Sequence, residues 1–127
     1  MENKDYTVEI LEIIRSNTSP GIMRNRLEDY HANDLAEVFP QLKVSERRKI
    51  CRILDLDMLS DIFEHIDEQE AAEYLDEMDI KKAAAILSAM ETDAVVDVLQ
   101  MIPKEKKNLL IELTVSYTHL RAHETLR

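Results

Sequence analysis

The chain has 127 residues, 45% of them apolar and 33% charged, with a formal net charge of −10. This composition predicts one packed domain, and the acidity argues against nucleic acid or an anionic lipid surface as a partner, because both would repel it. One glycine and three prolines are too few for an all-β fold, and the single cysteine, Cys51, allows neither an intrachain disulfide nor a zinc cluster.

Two helices and a loop are predicted before residue 31. Segment 6–16 has its apolar residues at helical spacing, which predicts the first helix. Ser19-Pro20-Gly21 predicts a loop, since proline and glycine both interrupt regular structure. Segment 22–30 is predicted to form the second helix.

From residue 32 onward the sequence repeats with a period of twelve. The repeat lines start at residues 32, 44, 56, 68, 80, 92 and 104. Positions 4, 7, 8 and 11 of a line are mostly apolar, which is the stripe of an amphipathic helix. Position 12 holds boundary residues: Asp55, Asp67, Asp79, Glu91 and Pro103. Asp67 and Asp79 are predicted helix N-caps, Thr92 is a third, and Pro103 is predicted to be a first helical residue.

Each line therefore predicts one helix of about nine residues followed by a tight turn. A helix this short is unstable alone and must bury its apolar stripe against its neighbours. Two lines make a helical hairpin of about 24 residues, and successive hairpins stack. The predicted fold is all-α, a superhelical stack of roughly eight to ten short helices.

The repeat pattern ends after Thr114. Residues 115–127 lack an apolar stripe and switch from acidic to basic, so they are predicted to be a vector-derived tail, with residues 1–114 as the domain. His119 and His123 in this tail are four residues apart and would share a helix face. The order of residues does not match a zinc protease motif, so no native metal site is predicted there.

Catalytic motifs are missing from the sequence. Glycine-rich phosphate loops and nucleophile–base pairs are absent, and Cys51 lies at an apolar position of the repeat, where a small core residue is expected. The chain is therefore predicted to bind a partner and not to be an enzyme.

Carboxylate placement is the remaining chemical signal. Asp93 and Asp97 are one helical turn apart, and Asp61 and Glu73 occupy the same repeat position as Asp97. Two carboxylates about 6 Å apart repel by up to about 3 kcal/mol at an effective dielectric of about 20, and a divalent cation between them would remove that repulsion. Oxygen ligands favour Mg²⁺ or Ca²⁺ over zinc. The alternative is a solvated acidic face with no ligand.

The repeat and its acids resemble the N-terminal domain of MgtE-type magnesium transporters. The resemblance rests on HANDLAEVFPQL (31–42), AAEYLDEMD (71–79) and TDAVVDVLQMI (92–102), and it extends over residues 7–114. It implies a Mg²⁺-sensing domain at the cytoplasmic face of the membrane, in a homodimer with CBS domains and a transmembrane pore. It also implies that Mg²⁺, bound weakly by Asp61, Asp93 and Asp97 and shared with the CBS domains, closes the pore.

A second interpretation gives the chain no metal role. Helical repeats also serve as protein-docking modules, as in the middle region of the flagellar motor switch protein. The glycine and hydrophobic docking patches expected of that protein are not evident in this sequence.

Overall fold

A computed structural model describes the backbone of residues 6–125 and the side chains of residues 6–116. Within these residues the chain forms nine α-helices, one 3₁₀ turn (Phe39–Gln41) and no strand, which confirms the all-α prediction. The helices are α1 (Thr7–Ile14), α2 (Pro20–Leu27), α3 (Ala32–Val38), α4 (Val44–Ile53), α5 (Leu56–Glu64), α6 (Glu68–Glu77), α7 (Ile80–Ala89), α8 (Thr92–Leu99) and α9 (Lys104–Thr125).

Helices α3 to α9 each begin at the first residue of a twelve-residue line. Capping explains several of these starts, because an N-cap side chain satisfies backbone N–H groups that lack a helical partner. Asp55 accepts a hydrogen bond from the N–H of Met58, and Asp67 accepts one from the N–H of Gln69. Asp79 accepts from the N–H groups of both Lys81 and Lys82. The superhelical arrangement itself stays a prediction.

Several predicted boundaries were wrong. Pro20 and Gly21 begin α2 instead of lying in a loop, since the fixed φ of proline suits a first helical residue. Thr92 is the first residue of α8, with Glu91 at the N-cap position, and Pro103 precedes α9. Helix α9 has 22 residues instead of about nine, because no proline, glycine or capping residue ends it near Val115.

The chain divides into two compact units, Met1–His65 and Ile66–Arg127. In the first, α1 packs on α2 and α3, α3 packs on α5, and α2 packs on α4. Phe39 and Phe63 meet edge to face, with ring centroids 5.6 Å apart. Arg47 donates to the backbone oxygen of Leu42 at 2.6 Å and to that of Phe39 at 3.3 Å, which ties the 3₁₀ turn to α4.

In the second unit α7 packs on α9, while α6 packs on α7 and α8. Ala83, Ala84 and Ala85 are buried on α7, and such small side chains let a neighbouring helix approach closely. Lys106 pairs with the carboxylate of Asp76 and also donates to its backbone oxygen at 3.0 Å. This pair joins α9 to α6 within the unit.

The seventh position of the repeat is buried in every line. The eighth position is buried in the lines from Phe39 to Leu87 and not in the last two lines. The buried seventh-position residues are Val38, Ile50, Ile62, Tyr74, Ile86, Val98 and Leu110. At the eighth position Leu99 is half-buried and Ile111 is 40% exposed. The last two helices therefore leave apolar surface uncovered within the described residues.

Candidate functional site

Helix α8 carries two exposed acids one turn apart. Asp93 lies in its first turn, where a negative charge interacts favourably with the helix dipole, and Asp97 follows on the same face. Within residues 6–116, neither carboxylate has a hydrogen bond or an ion pair. The pair therefore offers free carboxylate oxygens to a ligand in solution.

Asp61 lies in the middle of α5, in the first unit, and is also exposed. Its backbone oxygen is 2.8 Å from Nδ1 of His65, which ties the last turn of α5 together. Its carboxylate has no hydrogen bond or ion pair among the described side chains. The structure thus places Asp93 and Asp97 on one helix, and their association with Asp61 stays a prediction.

Within residues 6–116, some acids of the chain are held by cations, whereas the three predicted residues are not. Glu46 accepts from Nε of Arg15 at 2.9 Å and from the N–H of Lys43 at 2.8 Å, and these bonds lower the pKa of its carboxyl. Asp55 accepts from Arg24, and Asp76 pairs with Lys106. Asp61, Asp93 and Asp97 have no such basic neighbour among the described side chains, so their charge is not neutralised within the domain.

The donor set is chemically suited to a hard cation. Carboxylate oxygens are the protein ligands that Mg²⁺ prefers, and this ion keeps several of its waters while taking one or two carboxylates. Over residues 6–116 there is no group of three or more His, Cys, Asp or Glu side chains able to hold a metal ion. Asp93 and Asp97 could therefore supply part of a coordination shell, with the remaining ligands coming from outside.

The other residues singled out from the sequence are Cys51 and two histidines. Cys51 is buried in the core of the first unit, as a small apolar residue would be. His119 and His123 lie outside the residues whose side chains the structure describes.

Two clefts in the first unit were not foreseen from the sequence. One is acidic, lined by Glu9, Glu12 and Asp29 beside Arg26 and Tyr30. The hydroxyl of Tyr30 donates to Glu9 at 2.9 Å. Burial of the hydroxyl raises the pKa of Tyr30, and the bond to Glu9 raises it further. The other cleft is basic and lies between α2 and α4. Each joins residues distant in sequence, so a twelve-residue pattern contains no signal for them.

Comparison with known proteins adds to this geometry. The family model for the MgtE intracellular N domain matches residues 30–126. A solved structure described as the soluble part of a magnesium transporter is similar, with a TM-score of 0.75 and 28% sequence identity. The match covers 84% of this chain and 42% of that one. None of the curated proteins matches the chain. Over the described residues no helix is both long and apolar enough to cross a membrane.

The fold and the two matches define the class of this protein: it is an all-helical domain of the kind found at the N-terminus of MgtE proteins. The chain belongs to the MgtE intracellular N domain family, since the family model matches more than half of it. This confirms the resemblance that the repeat and its acids indicated.

Proposed function

We propose that this chain is the Mg²⁺-sensing domain of a magnesium transporter and that it regulates ion flux from the cytoplasmic face of the membrane. The observation that carries the proposal is the pair Asp93 and Asp97, exposed on one face of α8 and without an ion pair among the described side chains, in a domain of the MgtE family. The likeness to the soluble part of a magnesium transporter supports it.

In this proposal Asp61, Asp93 and Asp97 face carboxylates of CBS domains in the same transporter. When Mg²⁺ is scarce, the acids repel those of the partner and the domains separate, which opens the pore. Bound Mg²⁺ supplies the positive charge that offsets this repulsion and links oxygen ligands on both sides. Asp93 and Asp97 then hold the domain against its partner, and the transporter, a homodimer, closes.

Docking is supported by exposed apolar side chains in the unit that carries Asp93 and Asp97. Val96 precedes Asp97 on α8 and is 47% exposed. Met101, Leu109, Ile111 and Val115 are also exposed in the second unit. Where such side chains form a contiguous patch rimmed by polar residues, the patch is typical of an interaction site. A partner that covers it would exclude water and strengthen the attraction between Mg²⁺ and the carboxylates.

Titration of the ¹⁵N-labelled chain with MgCl₂, followed by NMR, tests the metal site. We expect weak, saturable shifts centred on the amides of Asp61, Asp93 and Asp97, because the domain holds only part of the coordination shell. A Ca²⁺ titration shows whether the site prefers the smaller ion. Shifts spread evenly over all the carboxylates would mean screening alone and would contradict the proposal.

The regulatory role is tested in the intact transporter reconstituted in vesicles. Replacing Asp93 and Asp97 together by alanine is expected to leave transport at low Mg²⁺ intact and to weaken closure at high Mg²⁺. The matched control replaces Glu68 of α6 and Glu105 of α9, two exposed acids, by alanine and is expected to close normally. Unchanged closure in the Asp93/Asp97 variant would place the sensor elsewhere.

A metal-independent docking module is the second candidate, favoured by the same exposed apolar side chains of the second unit. The two functions differ in how binding to a partner responds to Mg²⁺. Binding to isolated CBS domains that is equally strong in EDTA and in MgCl₂ would favour docking alone.

A further inference from the structure

The basic cleft of the first unit is a concentration of positive charge in an acidic protein. It has a volume of about 370 Å³ and is lined by Pro20 and Gly21 of α2, Ile53 of α4, and three cations, Arg24, Lys49 and Arg52. Its lining holds three cations and no acid, although two carboxylates, those of Glu28 and Asp55, bond Arg24 and the chain has a net charge of −10. Such a cleft focuses positive potential and attracts anions against the overall charge.

The three cations retain free hydrogen-bond donors. Arg24 uses Nε on Glu28 at 3.1 Å and Nη2 on Asp55 at 3.2 Å, which leaves its other N–H groups available. Lys49 donates to the backbone oxygen of Ile14 at 3.1 Å. Arg52 is exposed and has neither a hydrogen bond nor an ion pair in the described part of the chain.

These contacts also hold two of the cations in place. The carboxylates of Glu28 and Asp55 fix the guanidinium of Arg24, and the backbone oxygen of Ile14 fixes the ammonium group of Lys49. Preorganised donors lose less side-chain entropy when they bind a ligand. Arg52 supplies a third cation, which no acid in residues 6–116 neutralises.

We propose that the cleft between α2 and α4 binds a phosphate group, held by Arg24, Lys49 and Arg52. A phosphate is favoured over a carboxylate because it carries up to two charges and three acceptor oxygens, enough for three separate cations. The phosphate could belong to a small soluble anion or to a lipid head group, and the chemistry of recognition is the same. The site is distinct from the acids of α5 and α8 and does not depend on Mg²⁺.

The test is an NMR titration of the ¹⁵N-labelled chain with sodium pyrophosphate, in buffer containing EDTA and at constant ionic strength. We expect saturable shifts at the amides of Gly21 and Ile22 and at the Nε groups of Arg24 and Arg52. Arg52→Gln is expected to weaken binding about tenfold, the effect of losing one charge-assisted contact. Arg52→Lys keeps the charge without the planar fork and should give an intermediate affinity.

Arg26→Gln is the matched control, because it removes one positive charge from α2 at a residue that lines the acidic cleft instead. Its affinity for pyrophosphate should stay within about twofold of the unmodified chain. An unsaturable response, or an equal loss in Arg26→Gln and Arg52→Gln, would overturn the proposal. Arg24→Gln provides a second variant if Arg52→Gln disturbs the spectrum of α4.

Flotation with phosphatidylcholine vesicles, with and without phosphatidic acid, identifies the source of the phosphate. Flotation that requires phosphatidic acid and is lost in Arg52→Gln assigns the site to a lipid head group. Pyrophosphate binding without flotation assigns it to a soluble phosphate. Because these measurements contain no Mg²⁺, their failure would leave the proposed metal-sensing role intact, and the reverse also holds.

Discussion

Neutralising Asp97 should have opposite effects on the stability of the domain with and without Mg²⁺. Asp97 lies in the last turn of α8 and four residues after Asp93. Its charge is therefore unfavourable both to the helix dipole and to the neighbouring carboxylate. Asp97→Asn should raise the free energy of unfolding by roughly 0.5 kcal/mol in EDTA, because at exposed positions the like-charge repulsion contributes about 0.2 kcal/mol and the unfavourable dipole about 0.3 kcal/mol, the low ends of their ranges.

If Asp97 is a ligand, the unmodified chain becomes more stable than Asp97→Asn when Mg²⁺ is present. An ion at about ten times its dissociation constant stabilises the folded state by about 1.4 kcal/mol. If the variant binds tenfold more weakly, the same concentration gives about 0.4 kcal/mol. The Mg²⁺-dependent gain should thus fall by about 1 kcal/mol in Asp97→Asn.

Urea unfolding followed by circular dichroism measures both quantities. The gain is the difference in unfolding free energy between MgCl₂ and EDTA at matched ionic strength. Glu68→Gln serves as the control, since Glu68 is an exposed acid in the first turn of α6. A full Mg²⁺-dependent gain in Asp97→Asn, or an equal loss in Glu68→Gln, would refute the assignment of Asp97 as a ligand.

Three further predictions concern the fold. Asp79→Ala should lower stability by about 1 kcal/mol, because two N–H groups of α7 lose their acceptor, and hydrogen exchange in α7 would show this locally. Glu46→Gln should destabilise the domain at neutral pH, because the bond to Arg15 lowers the pKa of Glu46 from its usual value of 4.5. The ionised Glu46 therefore stabilises the fold above pH 4.5, and this stabilisation is lost as the pH falls through the pKa in the folded state. The difference in urea midpoint between the two proteins should therefore shrink in acid. In urea unfolding, Leu87→Ala should lower the free energy of unfolding by about 2–5 kcal/mol, whereas Ile111→Ala should change it by no more than about 0.5 kcal/mol. Both residues occupy the eighth repeat position, but only Leu87 is buried.

The helical class and most helix starts were predictable from local chemistry. Aspartates at position 12, such as Asp55 and Asp79, cap the helix that follows them, and an apolar stripe needs only its own spacing to predict a helix. The predicted helix boundaries were wrong where one residue type is compatible with two backbone conformations. Pro20 can lie in a loop or begin a helix, and only the surrounding backbone decides between them.

The candidate metal site was predicted in part. The spacing of Asp93 and Asp97 places both on one face of a helix, whatever the rest of the fold does. Their lack of a basic neighbour among the described side chains could not be predicted, since Lys106 or Arg24 could have paired with any acid that came near. The basic cleft was missed because Arg24 and Arg52 lie on different helices.

The sequence by itself determined the features that depend on residues close together along the chain. These are the succession of helices with a period of twelve residues, the aspartate caps, and the apolar side of each helix. Tertiary structure alone decided which apolar positions are covered and which charges meet, because burial and ion pairing depend on the helix that packs opposite. Leu87 and Ile111 occupy the same position of the repeat, yet only Leu87 is buried in the core. Asp55 caps α5 and Asp61 lies within it, and both are exposed, yet among the described side chains only Asp55 pairs with an arginine.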